Sequence, residues 1–247
     1  MKQSWRIAAA VTTVALFVFA IVFVIWAGDA AAASETALQA MNSDAQVYVS
    51  PENGWVIFFP AGNLHPETGF IFYPGAKVDY RAYAPVLKLI ADRGYFVVLV
   101  PVPLNMAIFD VNAGARVQAA YPEIQDWFVG GHSLGGVAAS LFVTGREEIS
   151  GLVLWASTPA NDALVSQGTP VLSVYGTSDG LFPLQMVNDS REVLPIDTQF
   201  VAIEGGNHSQ FGSYGFQSGD NEAGISPEEQ WVQAANATVD FFEAVSK

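Results

Sequence analysis

Apolar positions fall into three patterns along the chain. Residues 7–27 form one long uncharged, mostly apolar run, residues 45–60 largely alternate, and from residue 69 short apolar runs are separated by stretches with helical spacing. The alternating segment "AQVYVSPENGWVIFFP" carries Asn53-Gly54 near its centre. That dipeptide suits the positive φ angles of a two-residue hairpin loop, so the segment predicts two antiparallel strands. "GFIFY" (69–73), "YFVVLV" (95–100), "WFVGG" (127–131), "GLVLWAS" (151–157), "PVLSVYG" (170–176) and "TQFVAIEG" (198–205) read as strands. Their near-continuous apolar character suits a parallel sheet covered on both faces. Between them "DYRAYAPVLKLIADRG" (79–94) has helical spacing, with Asp79 as N-cap and Gly94 as stop. "SLGGVAASLFVTG" (133–145), "PLQMVNDSREVL" (183–194) and "SPEEQWVQAANATVDFFEAV" (226–245) supply further helices. A hairpin followed by repeated strand–helix units predicts a doubly wound, mostly parallel α/β sheet over residues 45–247.

The first run is a separate object. At about 1.5 Å per residue, a helix over Ile7–Ala27 spans roughly 30 Å, the thickness of a bilayer core. Lys2 and Arg6 precede it, while Asp29 and Glu35 follow. The positive-inside rule therefore predicts a signal anchor over residues 1–28 with the remaining chain outside the cytoplasm, at the cell surface or in the periplasm. The competing reading is a cleaved signal peptide and a secreted domain, because "DAAAAS" offers small residues at a cleavage site. The run is longer than the usual 7–15-residue apolar core of such peptides, which favours the anchor. Trp5 and Trp26 flank it as interfacial residues do. Residues 29–44 read as a short helical or flexible linker.

"WFVGGHSLGGVAAS" (127–140) holds Gly131-His132-Ser133-Leu134-Gly135, a G-x-S-x-G pentapeptide. The pattern alone is modest evidence. It gains weight from a strand before it and a helix directly after it, the context that projects a serine Oγ above a sheet on a strained turn. Glycines two residues to either side let strand and helix pass closely where a Cβ would clash. An unaided serine is a weak nucleophile and needs a base and a group to orient that base. Asp179, just beyond the strand in "PVLSVYGTSDG", and His208, just beyond the last strand in "TQFVAIEGGNHSQFG", occur in the required order and kind of place. Asp162 and Asp189 are weaker acid candidates, since neither directly follows a strand, and Glu204 could take only a displaced version of that role. His132 adjoins the serine on a sharp turn and is expected to point elsewhere, as a structural or pocket-lining residue.

In "FIFYPGAKVDYRAYAP", "GGHSLGG", "YGTSDG" and "GGNHSQFGSYG", in that order, the sequence resembles the α/β-hydrolase superfamily. Most closely it resembles the compact bacterial branch with a single hydrolase domain behind an N-terminal membrane segment. The resemblance covers about residues 55–245 and implies the α/β-hydrolase fold with Ser133, Asp179 and His208 as a catalytic triad. It further implies an oxyanion hole of two backbone N–H groups, from Leu134 and from the loop after the third strand, "YPGAKVD". Gly75 gives backbone access there, which assigns the second donor to Ala76, with Lys77 as the lesser candidate. Pro74-Gly75 departs from the His-Gly loop common in lipases and esterases. The implied chemistry is acyl transfer through an acyl-serine, on a small-molecule ester, with no metal or organic cofactor. A dehalogenase would carry Asp in place of Ser133.

Composition narrows this further. The net charge is −14, with no basic run, which excludes the clustered Lys and Arg that nucleic-acid binding needs. Cysteine is absent, which removes disulfides, thiol nucleophiles and thiolate metal sites, and three histidines do not make a histidine-rich metal centre. The segment from Ser157 to Thr169, where lids are inserted in the superfamily, is 13 residues long and predicts a minimal lid. That favours small or accessible esters. Leu104, Met106, Phe182, Phe211, Tyr214 and Phe216 lie in loops near the proposed site and are candidate pocket walls. Sequons at Asn188, Asn207 and Asn236 read as incidental, since a glycan on Asn207 would crowd His208. An acyltransferase or peptidase on the same fold, and a non-catalytic membrane-tethered binding protein, are the competing functions.

Overall fold

The computed structural model describes residues 2–246, with the side chains of residues 2–4 and 6–9 outside the description. The expectation placed on the charges of Lys2 and Arg6 therefore lies outside the described residues. Eight strands form one sheet: β1 (Val47–Glu52), β2 (Trp55–Pro60), β3 (Thr68–Tyr73), β4 (Phe96–Leu99), β5 (Asp126–His132), β6 (Ile149–Trp155), β7 (Val171–Gly176) and β8 (Gln199–Ile203). Their spatial order is β1-β2-β4-β3-β5-β6-β7-β8. β2 runs antiparallel to both β1 and β4, and every other pair is parallel. This is the mostly parallel doubly wound sheet with an N-terminal hairpin that the sequence predicts. Asn53 and Gly54 join the hairpin with φ of 52° and 86°, the left-handed values that selected those residue types.

Period-two alternation sends β3 side chains to two separate cores. Phe70 and Phe72 pack with α3 (Ala84–Asp92) and α7 (Pro227–Val245) on one face. Ile71 and Tyr73 pack with α4 (Ala113–Ala120) and α5 (Leu134–Val143) on the other. Both faces are dry, which accounts for strands without polar alternation. Asp79 caps the short 3₁₀ turn Tyr80–Tyr83 that leads into α3, its Oδ1 accepting from Arg81 N–H at 3.0 Å. Ser226 and Glu229 form a complete capping box at the start of α7. α6 (Leu184–Ser190) stays on the surface between β7 and β8.

Two pieces depart from the sequence expectation in form. α4 has no apolar stripe to announce it; the buried Tyr73 hydroxyl fixes its start, accepting from Gly114 N–H at 2.8 Å and donating to Val111 O at 2.6 Å. The stretch after α1 (Lys2–Gly28) lies on the domain. Ala31 bridges Val78, and Ala37 of α2 (Glu35–Ala40) is fully buried. Ser34 is bound to Ser213 through both backbone and side chain. The connection from β6 to β7 carries only the 3₁₀ turn Ala163–Ser166, which leaves the top of the sheet without a large cap.

Candidate active site

Four loops meet at the carboxyl edge of the parallel strands, where open α/β sheets bind ligands. They follow β3, β5, β7 and β8, and carry Gly75–Lys77, Ser133, Asp179 and His208 respectively.

Ser133 sits between β5 and α5 with φ 52° and ψ −123°, a conformation costly for any residue with a Cβ. Its surroundings hold it there. Its N–H donates to Trp155 O at 3.0 Å, and its carbonyl accepts from Ser157 Oγ at 2.7 Å and from Gly136 N–H at 3.0 Å. The flanking glycines have a steric cause. A Cβ on Gly131 would lie 2.4 Å from the Gly135 carbonyl carbon, and one on Gly135 would lie 2.2 Å from Tyr73 O and 2.5 Å from Pro74 O. The turn can exist only because strand, helix and the loop after β3 touch backbone to backbone.

Asp179 and His208 are buried, and Asp179 Oδ2 lies 2.9 Å from His208 Nδ1. The other carboxylate oxygen accepts from Leu181 N–H at 2.8 Å and Phe182 N–H at 2.6 Å, so the aspartate also shapes its own turn. A carboxylate can only accept, so Nδ1 is the donor in this bond, and in a neutral imidazole Nε2 is then the lone-pair acceptor. Asp162, Asp189 and Glu204 are all exposed, and among the described residues none is hydrogen-bonded to His208. Among the described residues no hydrogen bond joins Ser133 Oγ to the imidazole, although the rings of His208 and His132, the residue before the serine, have centroids 4.4 Å apart.

His132 points down into the protein. It is buried, stacks on Phe211 at 5.4 Å, and its Nδ1 lies 2.8 Å from the Tyr83 hydroxyl. That hydroxyl also accepts from Gly75 N–H at 3.0 Å. Burial pushes the Tyr83 phenol well up, which keeps it a donor. Burial, reinforced by the neighbouring His208, holds His132 well below the usual histidine range and hence neutral. Tyr83, unremarkable in the sequence as one aromatic of a predicted helix, therefore ties the loop after β3 to the serine turn.

Leu134 N–H and Ala76 N–H make no hydrogen bond among the described residues, and both residues are partly exposed. Lys77 N–H is already donated to Asn105 O at 2.8 Å. Of the candidate pocket residues, Phe182, Phe211 and Tyr214 are buried in the core, Met106 is half-buried, and Leu104 and Phe216 are exposed. Asn207 is buried, its side chain bound to Asn221 O and Gln210 N–H, so that sequon is closed to a glycan in the folded chain.

Asp220 is the residue the sequence did not flag. Its carboxylate accepts from Ser209 N–H and Oγ, Gly180 N–H, Asn221 N–H and, at 3.3 Å, His208 N–H, so it joins the loops that carry Asp179 and His208. Gln230 of α7 clamps the same loop, donating to Asn207 O at 2.7 Å and accepting from Asn207 N–H at 3.0 Å. Burial opposes charge on Asp220, but these donors outweigh it and hold the carboxyl below its ordinary value. A depressed folded value means that the stabilisation is full above the unfolded pKa of about 3.9 and is lost as pH falls through the folded value. Asp220→Asn turns one acceptor into a donor facing donors, at about 1–3 kcal/mol per buried unpaired group. We expect a lower melting temperature at pH 7 and a gap that narrows towards pH 3, read by thermal melts across pH. An unchanged melt at pH 7 would remove Asp220 from this role.

A model of the alpha/beta hydrolase family matches residues 69–232, and the chain belongs to that family. Among solved structures it is similar to Est1E from Butyrivibrio proteoclasticus, with 14% identity, coverage of 81% of this chain and 100% of the other, and a TM-score of 0.59. It is likewise similar to a thermophilic esterase from Thermogutta terrifontis, with 13% identity, 82% and 100% coverage, and a TM-score of 0.59. Likeness at this identity speaks to the fold alone. Over 51 residues it is 43% identical to the pimeloyl-[acyl-carrier protein] methyl ester esterase of Vibrio campbellii; the match spans 21% of this chain and only 20% of that relative's length.

Proposed function

We propose that the chain is a serine carboxylesterase in which Ser133 is the nucleophile, His208 the general base and acid, and Asp179 the group that orients the imidazole. The observation that carries this reading is the strained Ser133 turn on the same sheet edge as the buried Asp179–His208 pair. Ser133 Oγ attacks the ester carbonyl carbon as its proton passes to His208 Nε2, and the unpartnered N–H groups of Leu134 and Ala76 receive the oxyanion. The intermediate collapses, the C–O bond breaks, and His208 returns the proton to the leaving alcohol. Water repeats the sequence on the acyl-serine and releases the acid. In this reading the Ser133–His208 hydrogen bond forms as substrate docks. The short β6–β7 connection supports small or accessible esters as substrates.

Residues 1–28 act in this reading as an uncleaved anchor with the domain outside the cytoplasm. Ala10–Gly28 is long and apolar enough to cross a membrane, and the end of α1 is built into the domain: Ala27 is fully buried and Ala31 bridges Val78. Cleavage near "DAAAAS" would remove packed structure. Turnover of p-nitrophenyl acetate and butyrate by the full chain, with and without added alcohol or amine acceptors, tests the chemistry, and the intact mass of the membrane fraction tests the anchor. No turnover of either ester overturns the esterase reading, dominant transfer to acceptors redirects it to an acyltransferase, and loss of residues 1–28 overturns the anchor.

A further inference from the structure

The last turn of α1 is joined to the loops around the candidate site. The Ala27 carbonyl accepts from Asn105 Nδ2 at 3.3 Å. Ala31 donates its N–H to Lys77 O at 2.7 Å, and its carbonyl accepts from Asp79 N–H at 2.9 Å. Lys77 donates its N–H to Asn105 O at 2.8 Å and holds its ammonium 4.5 Å from the centre of the Trp26 ring. Lys77, Leu104 and Asn105 all have positive φ, at 56°, 54° and 53°, a strain kept only where surrounding contacts over-determine the backbone. The anchor end, the loop bearing Ala76 and the loop 103–109 are therefore one hydrogen-bonded unit.

That unit turns apolar side chains to solvent. Leu104, Ile108, Phe109 and Trp26 are 37%, 41%, 49% and 49% exposed. Phe109 meets Phe23 of α1 edge-on with centroids 6.0 Å apart, so the apolar surface of the helix continues onto the loop. Asp110, at the end of this loop, is paired with Arg116, which reduces the charge there. A tryptophan with a lysine ammonium on its face, at the end of a membrane-length helix, is the arrangement that sits at headgroup depth. We propose that this rim lies in the interfacial layer of the bilayer that α1 enters, so that the site opens at the lipid surface and takes acyl esters presented from the membrane. The proposal rests on the esterase reading and on retention of α1.

The absence of cysteine makes a clean test possible. The full chain is reconstituted in phosphatidylcholine vesicles as Ile108→Cys or Ile196→Cys and labelled with an environment-sensitive fluorophore. Ile196 is fully exposed in the turn before β8, at the amino end of that edge strand, whereas the loop 103–109 follows the carboxyl end of β4. Blue-shifted emission, quenched by nitroxide-bearing lipid, is expected at position 108 and not at 196. In parallel, Ile108→Ser/Phe109→Ser should turn over dissolved p-nitrophenyl acetate within twofold of the wild type, and a long-chain diacylglycerol in the same vesicles at least tenfold more slowly. A water-exposed probe at 108, or equal effects on the two substrates, overturns the proposal. Failure of the wild type on p-nitrophenyl acetate would instead overturn the esterase reading, while the probe still decides the docking.

Discussion

Ser133→Ala is expected to lower kcat for p-nitrophenyl butyrate by about 10⁴–10⁶, the range set by removing the nucleophile of such a triad, and to leave the melting temperature nearly unchanged. The substitution deletes the hydroxyl oxygen of a partly exposed residue, an oxygen that makes no hydrogen bond among the described residues. The bonds that pin the turn come from the backbone of residue 133, to Trp155 O and from Ser157 Oγ, and survive in alanine. Ser133→Gly separates chemistry from strain. It should be equally inactive but more stable than Ser133→Ala by about 1 kcal/mol, because glycine adopts positive φ without the Cβ penalty. Kinetics and thermal melts of the two variants measure both effects, and an alanine variant with near-wild-type turnover would contradict the assignment.

Gly135→Ala should be the most damaging single-methyl change in the site. The new Cβ would fall 2.2 Å from Tyr73 O, 2.5 Å from Pro74 O and 2.8 Å from the Pro74 carbonyl carbon, all backbone atoms that cannot rotate away. Relief requires moving α5 away from the loop after β3, which separates Leu134 N–H from Ala76 N–H. Overpacking of this kind costs about 1–3 kcal/mol, equivalent to roughly 2–12 °C in a domain of this size. Loss of one oxyanion donor lowers kcat by about 10²–10³. Gly62→Ala is the control: a Cβ there meets nothing within 4 Å, and neither quantity should change. Equal melts and equal kcat for the two variants would show that the close approach has no such role.

The elements are legible where one residue type serves one local demand. Asn53-Gly54 and Asp79 each act where the sequence pattern places them, because turn and cap chemistry is local. The six runs read as strands all form strands, within two residues at each end, because a sheet covered on both faces leaves a near-continuous apolar signal. α4 is not legible because "AGARVQAA" has no stripe; its position depends on Tyr73, some forty residues earlier. Asp220 is hidden for the same reason. It stands in a Gly-, Ser- and Asn-rich loop with no periodicity, and its importance comes from donors at Gly180, on the loop after β7, and at Ser209, eleven residues before it. The backbone contacts behind Gly135 and Gly176 also join segments distant in sequence; a Cβ on Gly176 would lie only 2.3 Å from Gly206 O. Tyr83 and His132 show the limit from the other side. Either residue type fits a core, and only the 2.8 Å contact between them and the Gly75 bond reveal a support for the turn.

The central claim is that Ser133 is an activated nucleophile. The full chain treated with a fluorophosphonate at pH 7, followed by intact mass and peptide mapping, tests it most directly. The account predicts one adduct per chain on the peptide containing Ser133, none in Ser133→Ala, and much slower labelling in His208→Ala, where the base is gone. An adduct on another residue, or labelling of Ser133→Ala at the wild-type rate, would contradict it.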